Sequence, residues 1–240
     1  MDNQEDKIAK NRKSGMSRRN FLKLSKNMVI GIGASGMLTN IYWINKGIMA
    51  IPVSEGYLLV DIKKCQGCVS CMLACSLVHE GAVNLSLSRI QIVQNSFQNW
   101  PDDVTIEQCR QCVEPACVEV CPEGALTADP EHGNVRRVCK AKCIGCMLCV
   151  EACPFPPSRA IWNFQESLAQ KCDLCANAPY WEEKGGPEGK QACVEVCPVG
   201  AIKFTKEIPV QKGDDGYKVN LRGPVWRTLG YPADRGRDSE

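Results

Sequence analysis

Residues 143–154 read Cys143-Ile144-Gly145-Cys146-Met147-Leu148-Cys149-Val150-Glu151-Ala152-Cys153-Pro154, and this spacing, C-x2-C-x2-C-x3-C with a trailing proline, decides the fold. A cubane [4Fe-4S] cluster has iron corners only a few bonds apart, so three thiolates from one tight loop reach three of them. The fourth ligand must come from elsewhere. The short helical turn after the loop carries the fourth cysteine away, and the proline behind it disfavours helix and holds that cysteine extended.

Working outward, three more groups vary the same unit, so the chain contains an internal repeat. The first, Cys65, Cys68, Cys71 and Cys75, keeps the spacing of the third, Cys143, Cys146, Cys149 and Cys153. The second, Cys109, Cys112, Cys117 and Cys121, has two extra residues before its third cysteine and ends in Pro122. The fourth, Cys172, Cys175, Cys193 and Cys197, ends in Pro198 and holds 17 residues between its second and third cysteines. That stretch, with Pro179, Gly185, Gly186, Pro187 and Gly189, reads as an inserted loop. The first and third groups fit the run found in bacterial ferredoxins, where the fourth cysteine ligates the other cluster of a pair.

Around each group the expected order is strand, cysteine loop, short helix, strand. Candidate strands are Tyr57 to Ile62, Arg89 to Val93, Leu126 to Ala128, Val135 to Val138, Ala160 to Phe164 and Ala201 to Phe204, short and rich in Val, Ile and Leu. Val118 to Val120 and Val194 to Val196 read as helical turns. The fold class is therefore α+β: tandem bacterial ferredoxin-like units around two pairs of clusters. Residues 51–204 form the four-cluster body, with 105–165 as an inner module, and 205–240 an extended C-terminal tail expected to wrap a partner.

Composition agrees with a cofactor-filled interior. Hydrophobic residues are 44% of the 240 but aromatics only 6%, so few large rings are present to fill a wide core. The net charge of +2 gives no basic surface of the kind nucleic acid requires. It conceals an asymmetry: residues 1–50 hold nine Lys/Arg against three Asp/Glu, a net of +6, which leaves −4 for the remainder. An acidic, cofactor-dense body suits protein partners.

Zinc is the main competing use of cysteine quartets, and the fourth group alone could pass for a zinc site. In the first and third groups a third cysteine follows the C-x2-C pair after three residues, which has no role in a zinc ribbon. Disulfide scaffolding conflicts with an odd count of 17 cysteines in so long a chain. Cys139, the leftover, reads as a free thiol packed as a small hydrophobe. His79 and His132 read as surface or helix-end residues, and Trp100, Trp162 and Trp181 as packing residues. No nucleotide loop or catalytic base appears, so the chain is expected to have no catalytic residues of its own.

At the N-terminus, residues 1–27 are polar and basic, and Met28 to Ile44 is mostly apolar and small. At the join lies Ser17-Arg18-Arg19-Asn20-Phe21-Leu22-Lys23, which resembles the twin-arginine signal. Residues 1–50 are expected to be that signal, or an uncleaved anchor, since Ile48-Met49-Ala50 has a small residue only at its last position. This resemblance implies export to the periplasm with clusters already inserted, which reconciles many thiols with an oxidising compartment.

From Tyr57 to Phe204 the order and spacing of the four groups resemble the four-cluster electron-transfer (beta) subunits of the DMSO reductase/molybdopterin oxidoreductase family. The resemblance implies four [4Fe-4S] clusters held crosswise. Cys65, Cys68, Cys71 and Cys197 would hold one, and Cys172, Cys175, Cys193 and Cys75 its neighbour. Cys109, Cys112, Cys117 and Cys153 would hold the third, and Cys143, Cys146, Cys149 and Cys121 the fourth. It also implies a molybdopterin or tungstopterin catalytic subunit and an integral-membrane, quinone-linked subunit as partners. Ser76 stands where the family has proline, and Cys139 is additional. Val60-Asp61-Ile62-Lys63-Lys64-Cys65, Ala74-Cys75-Ser76 and Ser88-Arg89-Ile90 also resemble ferredoxin-like partners of tungsten aldehyde oxidoreductases. A stand-alone periplasmic polyferredoxin is a further alternative.

Overall fold

The structure, a computed structural model, describes residues 51–213 and 216–230. The twin-arginine stretch and the apolar run after it lie outside the described residues. Eight strands of four residues each appear in the order β1 (Tyr57–Val60), β2 (Gln91–Gln94), β3 (Val104–Glu107), β4 (Leu126–Asp129), β5 (Val135–Val138), β6 (Ala160–Asn163), β7 (Leu168–Lys171) and β8 (Ile202–Thr205). Among them lie α1 (Ser70–Glu80), α2 (Ala116–Glu119), α3 (Leu148–Glu151) and α4 (Ala192–Glu195), with α5 (Pro224–Thr228) beyond β8. The class is α+β. Among the described residues no helix is long and apolar enough to cross a membrane.

The strands pair antiparallel, two by two: β2 with β3, β4 with β5, β6 with β7, and the first with the last. In that last pair Tyr57 faces Thr205 and Val60 faces Ile202. This long-range pairing draws the first and fourth cysteine groups together, and α1 packs against α4 while α2 packs against α3. A two-stranded ribbon is marginal by itself in water, so ribbons this short must be held by what they enclose. What they enclose is rich in sulfur: six of the sixteen buried members of the main core are cysteines, among Leu58, Val60, Ile90, Val104, Ile106 and Ile202. A smaller core sets Cys117 and Cys149 against Leu126 and Ala169.

Sequence reasoning missed β3 and β7. β3 alternates, with Val104 and Ile106 buried, whereas Leu168-Ala169-Gln170-Lys171 has no β-branched residue and buries its glutamine and lysine. Polar side chains facing inward erase the alternation that marks a half-buried strand.

After β8, residues 217–222 dock on the body itself. The backbone N–H of Val60 donates to Tyr217 O and that of Val219 to Val60 O, both at 2.9 Å. Tyr217 is buried, its ring lies 4.4 Å from the Arg110 guanidinium and its hydroxyl donates to Arg110 O. Buried Asp61 accepts from Leu221 N at 2.7 Å and Arg222 Nε at 3.1 Å. A buried carboxylate demands such donors, and they tie this stretch to the body.

Two further expectations are corrected. Cys139 is exposed rather than packed, because it lies one residue past the end of β5. His79 does end α1, yet it is 5% exposed and enclosed, not a surface residue.

Candidate metal centres

Each cysteine loop makes the same backbone move. The residue two after the first cysteine is left-handed in all four: Gly67 (φ 66°), Gln111 (48°), Gly145 (72°) and Leu174 (56°). A right-to-left-handed reversal turns successive N–H groups into a concavity that favours negative charge. Gly145 has no alternative, since a Cβ there would lie 2.5 Å from Ser167 O. At Gln111 and Leu174 the same turn costs on the order of 1–3 kcal/mol each, strain of the kind kept where a ligand needs the shape.

N–H groups do reach sulfur. Gln111 N donates to Cys109 Sγ at 3.3 Å and Gly67 N to Cys65 Sγ at 3.5 Å. Three of the outgoing fourth cysteines are treated alike: Arg89 N donates to Cys75 Sγ at 3.3 Å, Arg159 N to Cys153 Sγ and Ala201 N to Cys197 Sγ, both at 3.2 Å. Such bonds stabilise thiolate over thiol.

The sixteen grouped cysteines converge as four quartets, each mixing loops. Cys65, Cys68, Cys71 and Cys197 line a cavity of about 320 Å³, open mouth included, walled by Val69, Ile92, Ile106 and Ile202. Cys121, Cys143, Cys146 and Cys149 line another of about 370 Å³, beside Leu126, Ile144 and Met147. In the other two quartets six of the eight cysteines are buried, and Cys112 and Cys153 are partly exposed. Burial pushes the Cys193 thiol well above its ordinary value, with Cys175, Cys172 and Cys75 adding repulsion. Burial likewise lifts Cys112 to about 11, helped by Cys109, Cys117 and Cys153.

Neighbours across quartets give their order. Cys71 acts on Cys193, Cys109 on Cys172 and Cys117 on Cys149. The sequence of quartets is thus the Cys65 set, the Cys172 set, the Cys109 set and the Cys143 set, with open cavities at both ends.

Sulfur spacing tests what the quartets fit. A tetrahedral zinc site with Zn–S bonds near 2.3 Å requires its sulfurs ~3.8 Å apart. Among the described residues, the only trio of potential ligand atoms all within 4.8 Å of one another is Asp129, Glu131 and His132. No cysteine trio is that tight, so the quartets are too wide for one ion and suit a multi-iron cubane. Their thiols also want a cation: burial drives Cys71 to about 12 and Cys149 to about 11, so thiolates persist there only against metal charge.

Charged residues that sequence reasoning passed over surround the two more buried quartets. Beside Cys75, His79 Nε2 meets Asp173 Oδ1 at 3.0 Å and Arg89 Nη1 donates to Asp173 Oδ2 at 2.8 Å. Glu80 adds a second carboxylate 3.6 Å from Arg89. Burial opposes charge on His79, but the bonds to Asp173 and Cys75 outweigh it and raise its pKa. Near Cys112, Gln111 donates to Cys172 O at 2.8 Å and accepts from Arg136 N at 2.8 Å, while Arg136 Nη2 donates to Cys112 O at 2.9 Å. These bonds tie the second and fourth loops together. Lys171, the last residue of β7 and immediately before Cys172, is buried. The one available signal was the triplet Lys171-Cys172-Asp173, opposite charges flanking a grouped cysteine.

Residues 102–207 match the family described as 4Fe-4S dicluster domain. YsaA of Escherichia coli strain K12, whose name assigns it to electron transport, is 34% identical over 163 residues, 65% of this chain and 93% of YsaA. PhsB of Salmonella typhi, named as a thiosulfate reductase electron transfer subunit, is 37% identical over 61% of this chain and 73% of its own. The hydrogenase-2 operon protein HybA of Escherichia coli O157:H7 is 31% identical over 79% of this chain, which spans 62% of HybA. Among solved structures, the as-isolated BamBC complex of benzoyl coenzyme A reductase covers 73% of this chain and 97% of its own at 19% identity, with a TM-score of 0.34.

Proposed function

This chain belongs to the ferredoxin-like 4Fe-4S electron-transfer proteins, and from that premise we propose that it is a linear relay of four [4Fe-4S] clusters. It is an electron-transfer subunit, not a catalytic one. The observation that carries the proposal is the end-to-end adjacency of four mixed cysteine quartets with an open cavity at each end. Cys65, Cys68, Cys71 and Cys197 hold the first cluster, and Cys172, Cys175, Cys193 and Cys75 the second. Cys109, Cys112, Cys117 and Cys153 hold the third, and Cys143, Cys146, Cys149 and Cys121 the fourth.

The clusters supply one-electron chemistry. The chain's residues supply the rest. The left-handed loops aim N–H groups at sulfur, hydrophobic side chains wall the end cavities, and the exposed Cys68 and Cys146 suit the ends to exchange with partners. By resemblance the partners are a molybdopterin or tungstopterin catalytic subunit and a membrane quinone-linked subunit. PhsB, named as the electron transfer subunit of a thiosulfate reductase, supports that reading. The twin-arginine motif at Arg18-Arg19 supports a periplasmic location, membrane-associated through a partner or an uncleaved signal.

Anaerobic isolation of the full chain with its native companions tests this. We expect a brown protein with four irons and four acid-labile sulfides per quartet, co-purifying at equal stoichiometry with a large catalytic subunit. Zinc without sulfide would end the cluster reading. A loaded chain that never retains a partner would replace the subunit with a stand-alone polyferredoxin.

A further inference from the structure

The turn that leads out of Cys197 is held from both sides. Ala201 N donates to Cys197 Sγ at 3.2 Å. The Ala201 carbonyl accepts from Asp61 N at 2.8 Å. The carbonyl of Gly200, left-handed at φ 61°, accepts from Lys64 Nζ at 3.3 Å. Asp61 and Lys64 lie just before the first loop, yet what fixes them comes from the chain beyond β8. Leu221 offers both backbone groups, its N–H to Asp61 Oδ2 at 2.7 Å and its carbonyl to Lys64 Nζ at 3.0 Å. Arg222 Nε adds a second donor to Asp61 Oδ2 at 3.1 Å, and these two side chains are 7% and 2% exposed. Lys63 N supplies Asp61 Oδ1 at 3.1 Å. A carboxylate this buried is costly without its full set of donors, so the Asp61–Arg222 pair fixes both segments.

We propose that the Asp61–Arg222 pair is a latch by which residues 217–222 position the Ala201 N–H on Cys197, the distant ligand of the Cys65 cluster, and so raise that cluster's reduction potential. Asp61 and Arg222 are positioning residues: they act on the sulfur through the Gly200–Ala201 turn. Reduction adds one electron and no proton, so the cluster becomes more negative. An N–H aimed at a ligand sulfur favours that reduced form. With the latch open the turn relaxes, the bond lengthens, and this end of the relay is harder to reduce. Positioning has a signature that charge alone lacks. By charge alone, removing the Arg222 cation lowers the potential and removing the Asp61 anion raises it. Loss of the N–H bond lowers it in both cases. The inference rests on the four-cluster reading above.

The test is an EPR-monitored redox titration of the anaerobic full-length chain, alongside iron and sulfide content. Asp61→Asn keeps the side chain's shape and ends the ion pair; Arg222→Met ends it from the other side; Arg222→Lys retains the charge and a donor. Cys68→Ser alters a ligand of that cluster alone and identifies its signal. In Asp61→Asn and Arg222→Met we expect this signal to move to lower potential while the other three stay. In Arg222→Met the move should be at least a tenfold change in the reduced-to-oxidised ratio at fixed ambient potential, about 59 mV for one electron. Arg222→Lys should stay with wild type. Loss of that signal alone, with its irons, in either disrupting variant but not in Arg222→Lys supports the same positioning of Cys197. Opposite displacements in Asp61→Asn and Arg222→Met, unchanged signals, movement of another cluster's signal, iron loss beyond that site, or equal change in Met and Lys overturns the proposal. Absence of iron and sulfide from the wild-type chain would refute the cluster reading itself, a separate outcome.

Discussion

The outer and inner quartets are built to different specifications from the same loop. The outer pair opens to solvent through apolar cavities and exposes Cys68 and Cys146. The inner pair is lined by Arg89, His79, Asp173, Arg136 and Lys171, all under a tenth exposed. An apolar, open end suits docking and exchange. A more buried, charged middle suits fixing a potential, because charge acts more strongly away from water.

Replacing ligands should break this comparison most severely. Cys193→Ser removes a wholly buried ligand that packs in the main core, so we expect loss of that quartet's four irons together with loss of cooperative folding. Cys146→Ser, at an exposed position, should cost only its own quartet. Iron content and anaerobic thermal unfolding of both variants measure the contrast; equal losses would mean the quartets are structurally equivalent.

The next effect belongs to the inner wall. Asp173→Ala leaves Arg89 and His79 buried without their shared carboxylate, which should destabilise the loaded chain by about 3–5 kcal/mol. Denaturant unfolding under anaerobic conditions reads it, and a change under 1 kcal/mol would show that water or Glu80 takes over. The smallest effect is expected at Cys139, exposed and outside every quartet. Cys139→Ser should leave iron content unchanged; a fall would make this thiol a ligand.

How much of this was legible beforehand follows from range. The loops were readable because their ligands lie within a few residues, and six of the eight strands were readable because they alternate or bury Val, Ile and Leu. β7 was hidden by its inward-facing Gln170 and Lys171. Cys139 was expected to pack and is exposed, and His79, expected at the surface or a helix end, lies at the helix end but buried, since one residue of phase at the end of a helix or strand decides burial.

The amino-acid order alone determined the four thiol groups and the α+β class, because loop spacing is a local property of the backbone. Tertiary structure decided which loops share a quartet, which quartets lie at the ends, and that Arg89 meets a carboxylate. Those outcomes depend on contacts such as β1 with β8 and α1 with α4, between segments far apart in the chain. Only closing the chain brings such charges into one dry interior, where their sign matters.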